Sequence, residues 1–167
     1  YYCTSGHANL CNMGAAILMG PQLDGTFRFH NQRGENIGQM CVISTFSERS
    51  VVPDASVVKV ADYYPLDKAV LVGCGVPTGV GAVIYRAKVV PGSTVMVIGC
   101  GGIGINAIQG AAIAGARMII AVDTVDFKLE KSRELGATHT INPKKQDVVQ
   151  TVQELTWGRG VDYAFEA

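Results

Sequence analysis

The chain has 167 residues, with 14 Lys and Arg balanced by 14 Asp and Glu, and 48% hydrophobic residues. The balanced charge gives no electrostatic draw toward nucleic acid or an anionic membrane, and no apolar run approaches the ~20 residues that a membrane helix needs. Length and composition fit one average globular domain or two small pieces. No basic stretch followed by an apolar one opens the chain, so no secretory signal is expected. Five cysteines, Cys3, Cys11, Cys41, Cys74 and Cys100, are an odd number scattered along the sequence. Reduced thiols and a cytoplasmic setting are therefore expected, where cysteines more often bind metal or act chemically.

In chain order, YYCTSGHANLC opens the sequence and places Cys3 and Cys11 around Gly6, His7 and Asn9. A disulfide, two buried thiols and half of a larger site are all open at this point. Residues 12–39 are rich in Gly, Asn and Gln and weakly periodic. The β-branched runs at 41–53 and 56–60, broken by Pro53 and Asp54, predict short strands. Residues 66–74 predict a helix with Asp67 in its first turn and Gly73 at its stop. Residues 77–89 predict a second helix capped by Thr78 and broken by Pro91-Gly92.

From residue 93 the rhythm becomes strand–helix–strand. Predicted strands at 93–99, 117–123, 138–141 and 161–167 alternate with predicted helices at 103–115, 126–136 and 146–158. This alternation specifies an α/β fold with a parallel sheet. The uninterrupted apolar strands fit a sheet covered on both faces. The start at Tyr1 and the stop after a bare strand at Ala167 suggest a fragment of a longer protein.

VIGCGGIG (97–104) contains Gly99-x-Gly101-x-x-Gly104 between a predicted strand and a predicted helix. That context turns a weak motif into a dinucleotide-binding signal. Gly99 permits the turn, Gly101 lets backbone approach a pyrophosphate, and Gly104 lets helix and strand pack closely. The helix N-terminus offers free N–H groups to phosphate. Asp123 lies nineteen residues beyond Gly104, where a carboxylate accepts from an adenosine ribose diol. The same carboxylate repels a 2′-phosphate, which favours NAD over NADP. Lys128 is within reach of the same ribose. The bland alternative is a glycine turn with Asp123 as an ordinary helix cap.

Cys74 stands between Gly73 and Gly75. It is either a small buried hydrophobe or a thiolate ligand of a catalytic Zn²⁺. His7, His30 and His139 lie in no ligand spacing that completes such a site. Cys41 and Cys100 are expected to be unliganded, His7 to lie on the surface, and His30 and His139 to be structural. Trp157, before Gly158, is expected to be a packing anchor at a helix end.

Cys3-x7-Cys11, GCGVPTG (73–79), VIGCGGIG (97–104), AVD (121–123), Lys128, ELGATHTINP (134–143) and GVDYAFEA (160–167) occur in that order. The chain resembles the middle of a zinc-dependent medium-chain alcohol dehydrogenase over essentially its whole length. The resemblance implies a partial Rossmann parallel sheet of about four strands with helices, preceded by part of a mostly-β GroES-like catalytic domain. It implies residues 1–75 as the C-terminal part of that catalytic domain, with its structural-zinc lobe. It implies residues 76–167 as the N-terminal part of the NAD-binding domain. Cys3 and Cys11 match the third and fourth cysteines of a structural zinc site. Cys74 matches one ligand of the catalytic zinc. Thr78 matches the threonine packed against the nicotinamide, and Gly101, Gly102 and Ile103 the backbone along the cofactor. Asp123 and Lys128 match the groups on the adenosine ribose.

GAAILMGPQLDGTFRFH (14–30), GVPTG, GIGINAIQGAA (102–112) and VDTVDFK (122–128) further resemble the bacterial nicotinoprotein branch, which keeps NAD bound through turnover and passes electrons to a nitrosoaniline. Glutathione-dependent formaldehyde dehydrogenases share most of these motifs, and a redox-inactive NAD-binding relative is the other alternative. The resemblance implies zinc and NAD as cofactors, a small alcohol or aldehyde substrate, a homodimer or homotetramer, and no nucleic-acid or membrane partner. Residues 1–167 alone are expected to be inactive, because they hold only one of the implied catalytic ligands.

Overall fold

The computed structural model describes residues 1–167 except Met19, Pro53, Ala55 and Ser56. By contacts the chain forms two compact units, Tyr1–Lys59 and Val60–Ala167. The 75/76 boundary expected from the sequence falls inside the second unit, because the helix before it packs on the helix after it.

The first unit is built from short pieces. Single 3-10 turns at Cys3–Ser5 and Ala8–Leu10 precede α1 (Gly14–Ile17). The two-residue strands β1 (Phe29–His30) and β2 (Asn36–Ile37) pair antiparallel. The Asn31 side chain shapes the turn between them, its Oδ1 accepting from the backbone N–H groups of Arg33 and Glu35 at 2.9 and 3.0 Å.

The strands predicted at 41–53 and 56–60 do not form among the described residues. Met40–Val42 is instead a 3-10 turn with Cys41 at φ 55° and Val42 at φ 54°. Side chains take the backbone groups that a ladder would use. Gln39, only 3% exposed, donates to the Ile43 carbonyl, and Ser44 Oγ accepts from the Met40 N–H at 2.8 Å. Pro53, Ala55 and Ser56 lie outside the described residues.

The second unit carries the core. α2 (Leu66–Val72) leads into α3 (Gly75–Gly81), which runs on as a π-helical turn, Ala82–Ala87. Thr78 is inside α3 rather than at its cap. The helix starts earlier because Cys74 occupies the N-cap position and Pro77, which lacks an N–H, falls in the first turn, where none is needed.

β3 (Thr94–Ile98), α4 (Gly102–Ile113), β4 (Met118–Val122), α5 (Asp126–Glu134), β5 (His139–Ile141), α6 (Val148–Leu155) and β6 (Tyr163–Glu166) follow. Each lies within the corresponding predicted segment, or one residue from it. Local chemistry explains the helices. Asp126 opens α5 while Lys131 and Arg133 close it, complementing the helix dipole. Asp147 Oδ1 caps α6 by accepting from the Gln150 N–H at 2.7 Å.

The four strands form a parallel sheet in the order β5-β4-β3-β6. β3 pairs Val95 with Ile119 on one side and with Tyr163 on the other. Alternate side chains build two layers. Val95, Val97, Ile119 and Ala121 pack with Val83 from the π turn after α3 and with Ala107, Ile108 and Ala111 from α4. Ile120, Val122 and Ile141 pack with Val152 of α6 on the other layer.

Trp157 is not the packing anchor expected from the sequence. Its φ of 53° ends α6 with the ring turned out, 82% exposed, and the Arg159 guanidinium lies 5.7 Å from the ring centroid.

Candidate dinucleotide site

Chain order reverses at β3. The sequence steps from β3 to β4 to β5 in one direction, and β6 then returns to β3's other side. Ligands of open α/β sheets bind outside the carboxyl ends of the strands at such a switch point. The glycine loop occupies this position.

Gly99 follows β3 at φ +89°, and its N–H donates to the Val122 carbonyl at 2.8 Å. A side chain there would strike the Ala167 carbonyl oxygen. A side chain at Gly104 would strike the Gly99 carbonyl, so the first turn of α4 lies directly on the loop. Gly101 and Gly102 differ from both: a Cβ on either meets nothing within 4 Å. Their open side is where the backbone faces free space at the start of α4. That helix has no side-chain cap, so its first-turn N–H groups remain available. Ile103 is exposed beside them.

Asp123 joins the loop to the next strand. Its Oδ2 accepts from the Cys100 N–H and its Oδ1 from the Val125 N–H, both at 2.9 Å. Lys128 Nζ lies 3.5 Å from Oδ2. Burial alone would raise the Asp123 pKa. The Cys100 and Val125 N–H groups and the Lys128 ammonium outweigh it and hold the carboxyl below its ordinary value. A charged carboxylate is thus fixed at the end of β4.

Cys100 contributes its backbone to this bond while its thiol is buried in the core. Burial pushes the thiol pKa up, which disfavours the thiolate a metal would need.

α3 brings Cys74 and Thr78 to the same end of the sheet. The Thr78 N–H donates to the Cys74 carbonyl at 3.0 Å, and a Cβ at Gly75 would lie 4.0 Å from the Gly102 carbonyl oxygen. The Cys74 thiol is free and exposed. The structure therefore brings Cys74, Thr78, Gly99, Gly101, Gly102, Ile103, Gly104, Asp123 and Lys128 into one neighbourhood.

A scan against family models matches residues 102–167 to the zinc-binding dehydrogenases. The NDMA-dependent alcohol dehydrogenase of Amycolatopsis methanolica is 55% identical over 98% of this chain. The chain is similar to the zinc-binding dehydrogenases. An S-(hydroxymethyl)glutathione dehydrogenase of Saccharomyces cerevisiae is 46% identical over 99% of the chain. Among solved structures, an alcohol dehydrogenase zinc-binding domain protein from Burkholderia ambifaria superposes with a TM-score of 0.89 at 39% identity, covering 99% of this chain and 45% of that one. Benzyl alcohol dehydrogenase from Acinetobacter calcoaceticus superposes at 0.82 with 32% identity, covering 99% and 44%. The chain spans 43% of the length of the Amycolatopsis relative and 44% of the yeast one.

A dinucleotide fits the second unit: the open glycine edge, the uncapped helix and the fixed carboxylate supply a donor and acceptor set for it. Zinc does not fit these residues alone. Among the described residues no three His, Cys, Asp or Glu side chains group to hold a metal. Cys74 offers one thiol. In the first unit Cys3 lies in a 3-10 turn and Cys11 follows the next, with Cys11 Sγ accepting from the Met13 N–H at 3.4 Å. No described single helix is long and apolar enough to cross a membrane. α2 with the bent continuation Gly75–Ala87 passes by length and composition only.

Sequence reading missed Gly79 and Asn106. Asn106 Nδ2 donates to the Gly102 carbonyl at 2.7 Å, tying α4 to the loop's open edge. An i,i+4 polar contact back onto a glycine loop is a signal that spacing could have supplied. Gly79 had none, because its role depends on a second helix.

Proposed function

We propose that the whole protein carrying these residues is a zinc- and NAD-dependent alcohol dehydrogenase that oxidises a small alcohol to its aldehyde. The observation that carries this reading is the Asp123 carboxylate fixed on the glycine loop at Cys100, beside the open Gly101-Gly102 backbone, with α3 presenting Cys74 and Thr78 at the same sheet end. Bound NAD would supply the hydride acceptor. Gly101, Gly102 and the first-turn N–H groups of α4 take its pyrophosphate. Asp123, flanked by Lys128, takes the adenosine ribose diol, which selects NAD over NADP. Ile103 lies along the cofactor and Thr78 packs at the nicotinamide end. Cys74 is one ligand of a catalytic zinc, and Cys3 and Cys11 are two ligands of a structural zinc. Their remaining partners lie outside residues 1–167.

Residues 1–75 then belong to the catalytic domain and 76–167 to the coenzyme domain. The 55% identity to an NDMA-dependent relative favours the nicotinoprotein branch, in which NAD stays bound through turnover. A second reading, oxidation of a glutathione adduct of formaldehyde, is favoured by the S-(hydroxymethyl)glutathione dehydrogenases at 46% and 44% identity. The whole protein is a cytoplasmic homo-oligomer with no nucleic-acid or membrane partner.

The test is metal and cofactor analysis of the purified whole protein. The expected result is a structural and a catalytic zinc per subunit, with NAD(H) released only on denaturation. Zinc-free protein that retains turnover would overturn the zinc reading. Freely exchanging NAD would remove the nicotinoprotein branch, and formaldehyde oxidation that requires glutathione would select the second reading.

A further inference from the structure

α3 and α4 cross with no side chain between them at Gly79. A Cβ there would strike the Ile103 carbonyl oxygen and come within 2.7 Å of Asn106 Cβ and 2.8 Å of the Ala107 nitrogen. Two of these three atoms are α4 backbone, so no rotamer change relieves the overlap. A second glycine, Gly110 on α4, meets α3 further along. A Cβ there would lie 3.1 Å from Val80 Cα and 3.3 Å from Val83 Cβ, contacts that a shift of a few tenths of an ångström would relax. The two glycines seat the same helix pair, but Gly79 faces the harder surface and adjoins Thr78.

The first turn of α3 is joined to Cys74, since the Thr78 N–H donates to the Cys74 carbonyl at 3.0 Å. A displacement at Gly79 therefore carries Thr78 and Cys74 with it. The adenosine end is held separately. Asp123 is fixed by Cys100 and Val125, from the glycine loop and the segment after β4, without α3.

We propose that Gly79 is a positioning residue. Its missing side chain sets the depth at which α3 seats on α4, and so sets where the Cys74 thiol and the Thr78 hydroxyl stand relative to the glycine loop. The site then has two mechanically separate halves: an adenosine half held by the loop and β4, and a reacting half held by the helix crossing. This rests on the dehydrogenase reading above and adds which residue aligns its reacting half.

The experiment uses the whole protein, with NAD⁺ and ADP-ribose as probes for the full cofactor and for its adenosine half. In Gly79→Ala, ADP-ribose affinity is expected to stay within about twofold while kcat falls about a hundredfold, the scale set by an ångström of misplacement. Gly110→Ala is expected to lower Tm yet keep kcat within about threefold. Asn106→Val adds bulk at the Gly79 contact from the α4 side. Asn106→Ala loses the same bond to Gly102 without adding bulk. The valine variant is expected to have the lower kcat by about tenfold, which keeps the test decisive if Gly79→Ala does not fold.

Gly79→Ala with unchanged kcat would overturn the proposal. So would a parallel loss of ADP-ribose affinity, or equal kcat in the two Asn106 variants. Wild-type protein that binds neither probe would instead overturn the dehydrogenase reading.

Discussion

The two units of this chain hold themselves together in different ways. Among the described residues, every buried hydrophobic one belongs to the second unit, Val60–Ala167, from Val83 to Val152. In the first unit, Tyr1–Lys59, the only described buried residue is Gln39, a polar one. Its order comes from short-range bonds: Thr4 and Ser5 hydroxyls to the Tyr1 and Tyr2 carbonyls, Asp24 to Thr26, and Asn31 to the following turn. Such bonds contribute about 1 kcal/mol each at most when solvent competes. A parallel sheet covered on both faces specifies its own geometry. A lobe of turns does not, and a metal clamp is the usual means of fixing one.

Metal removal should separate the units most sharply. If Cys3 and Cys11 clamp the first unit through zinc, chelation of the whole protein should increase proteolytic cleavage within 1–59 by about tenfold or more, with cleavage within 60–167 unchanged. Limited proteolysis with fragment masses reads this. Equal sensitivity of both units would break the comparison.

Gly104→Ala probes the second unit's own packing. The added methyl strikes the Gly99 carbonyl, so a loss of about 1–3 kcal/mol and weaker NAD⁺ binding are expected from denaturant unfolding and titration. Unchanged stability would mean that α4 does not lie against the Gly99 carbonyl.

Asp123→Ala removes the acceptor for two backbone N–H groups, at a cost of about 1–3 kcal/mol. The pH dependence has a definite sign. The folded pKa lies below the unfolded value of about 3.9, so this contribution is complete above that value and disappears as pH falls through the folded pKa. The gap between wild type and Asp123→Ala should therefore begin to narrow only below about pH 4 and shrink further as pH falls through the folded pKa. A gap that persists in acid would show that the carboxylate's charge is not responsible.

The smallest effect is expected at Lys128→Ala. Its ammonium is half exposed and 3.5 Å from the carboxylate, so stability should change by less than about 1 kcal/mol and less still at high salt.

Legibility followed the same division. From residue 93 onward, apolar runs and glycine stops lie close together in sequence, and the observed strands and helices follow them. The glycine loop and Asp123 were readable because their spacing reflects one strand–helix–strand unit. At 40–60 β-branched composition misled. The buried Gln39 amide and the Ser44 hydroxyl claim backbone groups, and Cys41, Val42 and Ser44 take positive φ values that no strand accommodates. Trp157 failed for a related reason, since a left-handed turn at the end of α6 sends the ring outward.

The sequence by itself determined the parallel α/β rhythm, the glycine loop and the acidic residue after the second strand. Each is a local pattern, set by side-chain period or by backbone freedom within a few residues. Only the tertiary structure decided that Asp123 captures the Cys100 N–H, that β6 returns beside β3 to place the loop at a switch point, and that α3 seats against α4 at Gly79. These depend on surfaces far apart in the chain meeting at van der Waals distance, which no spacing along the sequence records.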